Sequence, residues 1–170
     1  REEDWPAKAA VLSGENKEKY LQARELENNG DLKGAMELLE EVASDTPELD
    51  PLYRKMASLA TRLGEYWKAA IYSERYSMLR PEDEEMIFAS ASFYRKAGEF
   101  AKAADFAERL RLRKPEDPHV HLFLADIYMR LKNLKRAERM LETAERLDPE
   151  EERNARIREK LEELKSASAT

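Results

Sequence analysis

The sequence predicts an all-α chain of four helix-turn-helix units closed by a C-terminal capping helix, and three observations predict it. Proline falls at Pro47, Pro81, Pro115 and Pro149, each 34 residues after the last. Alanine keeps the same step twice, at Ala23, Ala57, Ala91 and Ala125 and again at Ala35, Ala69, Ala103 and Ala137. Glycine follows at Gly30, Gly64 and Gly98, with Lys132 in the fourth place, and a Leu or an aromatic stands two residues on at Leu32, Tyr66, Phe100 and Leu134. A fixed period of this length is the mark of one supersecondary unit used again and again.

Counting each unit from 1 to 34 places the units at 16–49, 50–83, 84–117 and 118–151, with nothing inserted or deleted. Glycine at position 15 can take the left-handed conformation that ends the first helix of a unit, helix A. Proline at position 32 cannot continue the second, helix B. The alanines at positions 8 and 20 let the two helices approach closely. One such hairpin cannot bury its apolar stripe alone, so units stack into a shared core and need polar caps at the ends. Residues 152–170 fit a cap, because Ile157, Leu161 and Leu164 recur at helical spacing beneath a charged face. Residues 1–15 read as a lead-in, with Trp5, Val11 and Leu12 the remnant of a preceding helix broken by Pro6, Ser13 and Gly14. The chain begins at Arg1 rather than Met and is expected to be a segment of a longer protein.

A small residue at 8, Gly at 15, Ala at 20 and Pro at 32 resemble the tetratricopeptide repeat, which has the same period. Of the 16 anchor places 15 match, too many for coincidence, and the likeness covers 136 of 170 residues. It implies a right-handed α-solenoid in which the A helices line a concave groove. The first unit departs from the pattern. Lys19 and Gln22 stand where the family prefers bulky residues, so its first helix is expected to sit loosely or slightly rotated.

Composition bounds the function. With 39% charged and 42% hydrophobic residues, the chain looks like exposed helices that each carry one apolar stripe. Its 36 acidic and 30 basic residues give a net charge of −6, which lacks the footprint of a duplex nucleic-acid binder. No apolar run approaches the ~20 residues that cross a bilayer. The absence of Cys excludes disulfides, thiol chemistry and Cys-ligated zinc, and fixes no compartment.

At 100° per residue, positions 4, 7, 8 and 11 of helix A pack inward while 2, 5, 6, 9, 12 and 13 turn the other way. By the resemblance this second face lines the groove. It holds Tyr20, Leu21 and Arg24 in the first unit, Arg54 and Lys55 in the second, Phe88 and Arg95 in the third, and Leu122, Phe123 and Asp126 in the fourth. Across all four units the set carries eight Lys or Arg and three Asp or Glu, a balance of +5 on an acidic chain. Two interpretations of that surplus stand. One is a groove for an acidic or carboxylate-bearing segment, anchored on Phe88, Leu122 and Phe123 beside Arg54, Lys55 and Arg95, the mix enriched at binding hot spots. The other is ordinary solvated charge, since a basic residue at position 13 is common in the family, and without Arg62, Lys96 and Arg130 the balance falls to +2. Family members that clamp chaperone tails use Lys and Asn at positions 5 and 9 of their first unit. Tyr20 and Arg24 in those places argue against such a clamp.

On helix B, positions 18, 22, 25 and 29 should face outward on the convex side. The second unit places Trp67, Ile71, Glu74 and Met78 there, and the third adds Leu112, which makes a candidate contact patch or a scatter of surface apolar residues.

Catalytic and cofactor signals are absent from the sequence. His119 and His121 diverge by about 200° on one helix and cannot chelate one ion. The glycines form no phosphate-binding loop, and no Ser/His/Asp set is suggested by order or spacing. Positions 2 and 5 vary from Lys and Tyr to His and Leu, so no per-repeat code for reading RNA bases is present. The expected function is therefore a non-enzymatic module that binds a partner protein or extended peptide, with self-association through the outer face as a further outcome. The alternative is an architectural stretch of a longer solenoid in an assembly such as a bacterial secretion or polysaccharide-export system.

Overall fold

The computed structural model describes residues 11–169, so the expected helix remnant around Trp5 and Pro6 lies outside the described residues. Those residues form α1 (Gly14–Asn28), α2 (Leu32–Asp45), α3 (Asp50–Arg62), α4 (Tyr66–Leu79), α5 (Glu84–Lys96), α6 (Phe100–Arg113), α7 (Pro118–Arg130), α8 (Leu134–Leu147) and α9 (Glu152–Ala169). No strand is present among them. The fold class is all-α, built of helix-turn-helix units.

The turns show why these boundaries recur. Each A helix ends in the same left-handed motif, in which the N–H two residues past the helix cap reaches back five residues to a carbonyl: Asp31 to Leu26, Glu65 to Ala60, Glu99 to Tyr94 and Asn133 to Tyr128, at 2.8–2.9 Å. The residue between must have positive φ, and Gly30, Gly64 and Gly98 supply it at 85°, 75° and 81°. Lys132 adopts the same conformation at 62° without glycine's freedom. Each B helix stops at a residue near φ −130° to −145°, namely Thr46, Arg80, Lys114 and Asp148, immediately before the recurring proline. Side chains then fasten the next helix to that turn. The Tyr53 hydroxyl donates to the Pro47 carbonyl at 2.9 Å, His121 Nε2 lies 2.7 Å from the Pro115 carbonyl, and Asn154 Nδ2 donates to the Asp148 carbonyl at 2.7 Å, each six residues on.

The described residues divide into two compact bodies, the first ending at Met86 and the second beginning at Ile87. In the first, α1 packs on α2, α2 on α3 and α3 on α4. Its interior is filled by Met36, Leu39 and Val42 of α2 and by Leu52, Met56 and Leu59 of α3. In the second, α7 packs against α6, α8 and α9, and α8 against α9. The recurring Ala35, Ala69, Ala103 and Ala137 are wholly buried, consistent with side chains too small to hold neighbouring helices apart.

The capping helix is held by burial and by charge. Leu161 of α9 and Leu141 of α8 are both fully buried, while Ile157 and Leu164 are half-buried. At the edge of this contact Arg158 donates to Glu138 at 2.6 Å and to Glu145 at 2.5 Å, and Lys165 donates to Glu138 as well. The Lys165 ammonium and then the Arg158 guanidinium hold the Glu138 carboxyl down at about 2.

Candidate protein-binding face

In the first body the residues expected to line a groove are largely engaged with one another. Tyr20 is nearly closed to solvent at 3% and shares the buried face of α1 with Ala23. Lys19, at the usual packing position, instead pairs with Glu41 at 3.0 Å and Glu15 at 3.4 Å. An ammonium group does not go into a core, so the buried face of α1 has moved over to the tyrosine beside it. This corrects the expectation that Tyr20 faces a partner.

Lys55 is corrected in the same way. Its ammonium lies 2.7 Å from Glu27 Oε1, and Arg62 reaches the same oxygen at 2.9 Å. The Glu27 and Lys55 side chains are only 13% and 18% exposed, so this pair joins α1 to α3 at full hydrogen-bond strength. Arg24 is half-buried, and Leu21 is 37% exposed. Arg54 is exposed and lies beside the Tyr76 hydroxyl, which donates to Asp83 Oδ2 at 3.2 Å. Burial first, then the Asp83 charge, pushes the Tyr76 hydroxyl up from its ordinary value.

In the second body the corresponding face has a different character. Phe88 of α5 is 39% exposed and its ring lies 5.4 Å from that of Phe123 on α7, tilted by 59°. Phe123 is buried beneath it, and Leu122 is buried too, because α7 is enclosed by α6, α8 and α9. Those two residues therefore support the surface rather than form it. The Arg95 guanidinium sits 4.6 Å over the Phe123 ring, a cation–π contact that fixes it in place, and Arg130 sits 5.3 Å over Phe100. Between the two arginines is Asp126, whose Oδ2 is 3.7 Å from Arg95 and 3.8 Å from Arg130. Both distances exceed a hydrogen bond, so these are loose ion pairs with guanidinium N–H groups still able to donate. The part played by Phe100 was missed in the sequence. Its signal was the aromatic recurring at Tyr66 and Phe100 just past the glycine.

The outer candidates are less uniform. On α4, Trp67 is 56% and Met78 74% exposed, while Ile71 is only partly so. The Lys68 ammonium lies 5.8 Å from the Trp67 ring and pairs with Glu65 at 3.4 Å and Glu40 at 3.6 Å. Leu112, in the second body, is 75% exposed. The two histidines take unrelated places. His121 is the buried staple on Pro115, and His119 Nδ1 lies 2.8 Å from an Arg153 nitrogen, tying α7 to the start of α9.

This helical architecture has counterparts among known proteins. A tetratricopeptide repeat family model matches residues 94–161. That stretch of the chain, from Tyr94 to Leu161, is similar to tetratricopeptide repeats. No curated protein matches it in sequence. Among solved structures, a tetratricopeptide repeat protein from Parabacteroides merdae is 20% identical with a TM-score of 0.68, over 89% of this chain and 60% of that one. The repeats here thus span less than two thirds of that protein's length. MamA from Desulfovibrio magneticus is 19% identical with a TM-score of 0.60, covering 94% of this chain and 100% of its own. YrrB, described as a TPR protein with an unusual peptide-binding site, is 15% identical with a TM-score of 0.63, over 85% and 75% of the two chains. At these identities the likeness fixes the fold. The tetratricopeptide fold is one of interaction scaffolds, typically without catalytic activity of their own.

Proposed function

We propose that this protein docks an extended, acidic segment of a partner protein on the α5–α7 face of its second body. The observation that carries the reading is the stack of Phe88 on Phe123 with Arg95 over the Phe123 ring. An aromatic left 39% exposed yet backed by a buried ring is a rigid apolar anchor, and a guanidinium held 4.6 Å from that buried ring can meet a carboxylate through two N–H groups. The first body supports the reading by contrast. There Glu27 already takes up Lys55 and Arg62 at 2.7 and 2.9 Å, so a partner would have to break strong pairs to reach those cations. The peptide-binding description of YrrB agrees in kind.

A second docking place is favoured by Trp67 and Met78, large side chains exposed on one face of α4. Through it the array would join a larger assembly, the architectural role.

Peptides selected on the whole chain from a random display library separate the two. The expected outcome is enrichment of Asp or Glu next to an aliphatic or aromatic residue, with affinity lowered about tenfold by Phe88→Ala and unchanged by Trp67→Ala. Selected peptides without acidic enrichment, or binding that depends on Trp67 and not on Phe88, would overturn the proposal in favour of the outer face.

A further inference from the structure

We infer that Asp126 is the specificity-determining residue of the α5–α7 face: standing between the two arginines that a partner's carboxylate would meet, it offsets part of their charge and so rejects segments that offer negative charge alone. The inference rests on the proposed function of that face. The sign of its effect follows from what holds the arginines. Arg95 lies on the Phe123 ring at 4.6 Å and Arg130 on the Phe100 ring at 5.3 Å, so each guanidinium has an aromatic seat of its own. Asp126 is not what positions them, because its Oδ2 stands 3.7 and 3.8 Å away, outside hydrogen-bond reach of both. What remains to Asp126 is its charge. Its side chain is 15% exposed, between two cations that are 37% and 50% exposed, so its field is screened less than that of a surface carboxylate.

The local sum of Arg95, Asp126 and Arg130 is therefore +1, where the two arginines alone would present +2. An arriving carboxylate is attracted by the arginines and repelled by Asp126 at close range. Net attraction is then too weak to retain a merely acidic chain, and contact with Phe88 has to complete it. A segment that joins an apolar side chain to a carboxylate is accepted, and a polyanion is refused. The first body shows the same device further advanced, with Glu27 Oε1 at hydrogen-bond distance from both Lys55 and Arg62.

The test uses the intact chain and fluorescein-labelled octaglutamate, a probe with charge and no apolar side chain, in about 50 mM salt where surface charge is felt. Asp126→Asn, which keeps the shape, is expected to bind the probe at least about fivefold more tightly than the unaltered protein, with a steeper loss on adding salt. Asp126→Asn combined with Arg95→Gln should return affinity to the starting level. Circular dichroism of each variant confirms that the helices remain. Octaglutamate binding that is unchanged or weakened by Asp126→Asn in a folded protein would overturn the inference. Failure of the parent proposal has another signature: library-selected peptides indifferent to Phe88→Ala, whatever octaglutamate does.

Discussion

Leu141→Ala should destabilise the protein by about 3 kcal/mol, within the usual range of 2–5 for a buried leucine. Leu141 is fully buried on α8, against which both α7 and α9 pack, and Leu161 of α9 is fully buried as well. Truncation removes the transfer energy of the lost methyl groups and leaves a cavity, and helices already held at their separation by wholly buried alanines such as Ala137 cannot close in to fill it. For a chain of this size each kcal/mol moves the thermal midpoint by roughly 2–4 °C, so a drop of about 6–12 °C is expected by circular dichroism or calorimetry. Leu112→Ala is the matched control. Leu112 is 75% exposed, and its truncation should stay within about 0.5 kcal/mol of the parent. Equal losses for the two leucines would contradict the sorting of side chains by place in the unit.

The second large effect is on binding. Arg95→Glu should weaken the acidic peptides chosen on this protein by about tenfold to a hundredfold, corresponding to about 1.4–3 kcal/mol. The substitution removes the cation seated 4.6 Å over Phe123 and sets a carboxylate beside Asp126, turning attraction into repulsion at the place where the peptide's own carboxylate must sit. Net charge alone does not account for the size of the effect. Arg139→Glu changes the total by the same amount on the exposed face of α8 and should shift affinity by less than about threefold in 150 mM salt, where the field beyond about 8 Å is screened. Fluorescence anisotropy titrations of both variants read the difference directly. Similar losses for Arg95→Glu and Arg139→Glu would reduce the effect to general electrostatics.

How much of this could be read from the residues depends on the distance over which the relevant force acts. The glycine that ends each A helix and the proline after each B helix act through their own backbone dihedrals, so helix limits were legible down to Lys132, which follows the glycines into positive φ. The buried alanines were legible for a similar reason, since a small residue recurring at one place in a repeat has little use except close approach. The direction of the A-helix face was legible as an angle, but its depth was not. Angular sorting placed Leu122 and Phe123 beside Phe88 without showing that α7, enclosed on three sides, buries both. Pairing was the least accessible. Glu27 meets Lys55 and Arg62 across 28 and 35 residues, and Arg95 meets Asp126 across the whole of α6 and the turns on either side of it. Which carboxylate reaches which cation is decided by rotamers and by the offset between neighbouring units, neither of which a periodic pattern specifies. The shift of the buried face of α1 to Tyr20 had a visible cause in Lys19, whose charge bars it from the core.

In the proposed complex the partner lies on the face carrying Phe88, Arg95 and Asp126. Amide chemical-shift mapping of the isotope-labelled chain with a selected acidic peptide tests it most directly. The largest changes should fall on α5 and α7, around Phe88, Arg95 and Asp126, with α4 near Trp67 and Met78 undisturbed. Changes concentrated on α4, with α5 and α7 silent, would put the partner on the Trp67 and Met78 face instead.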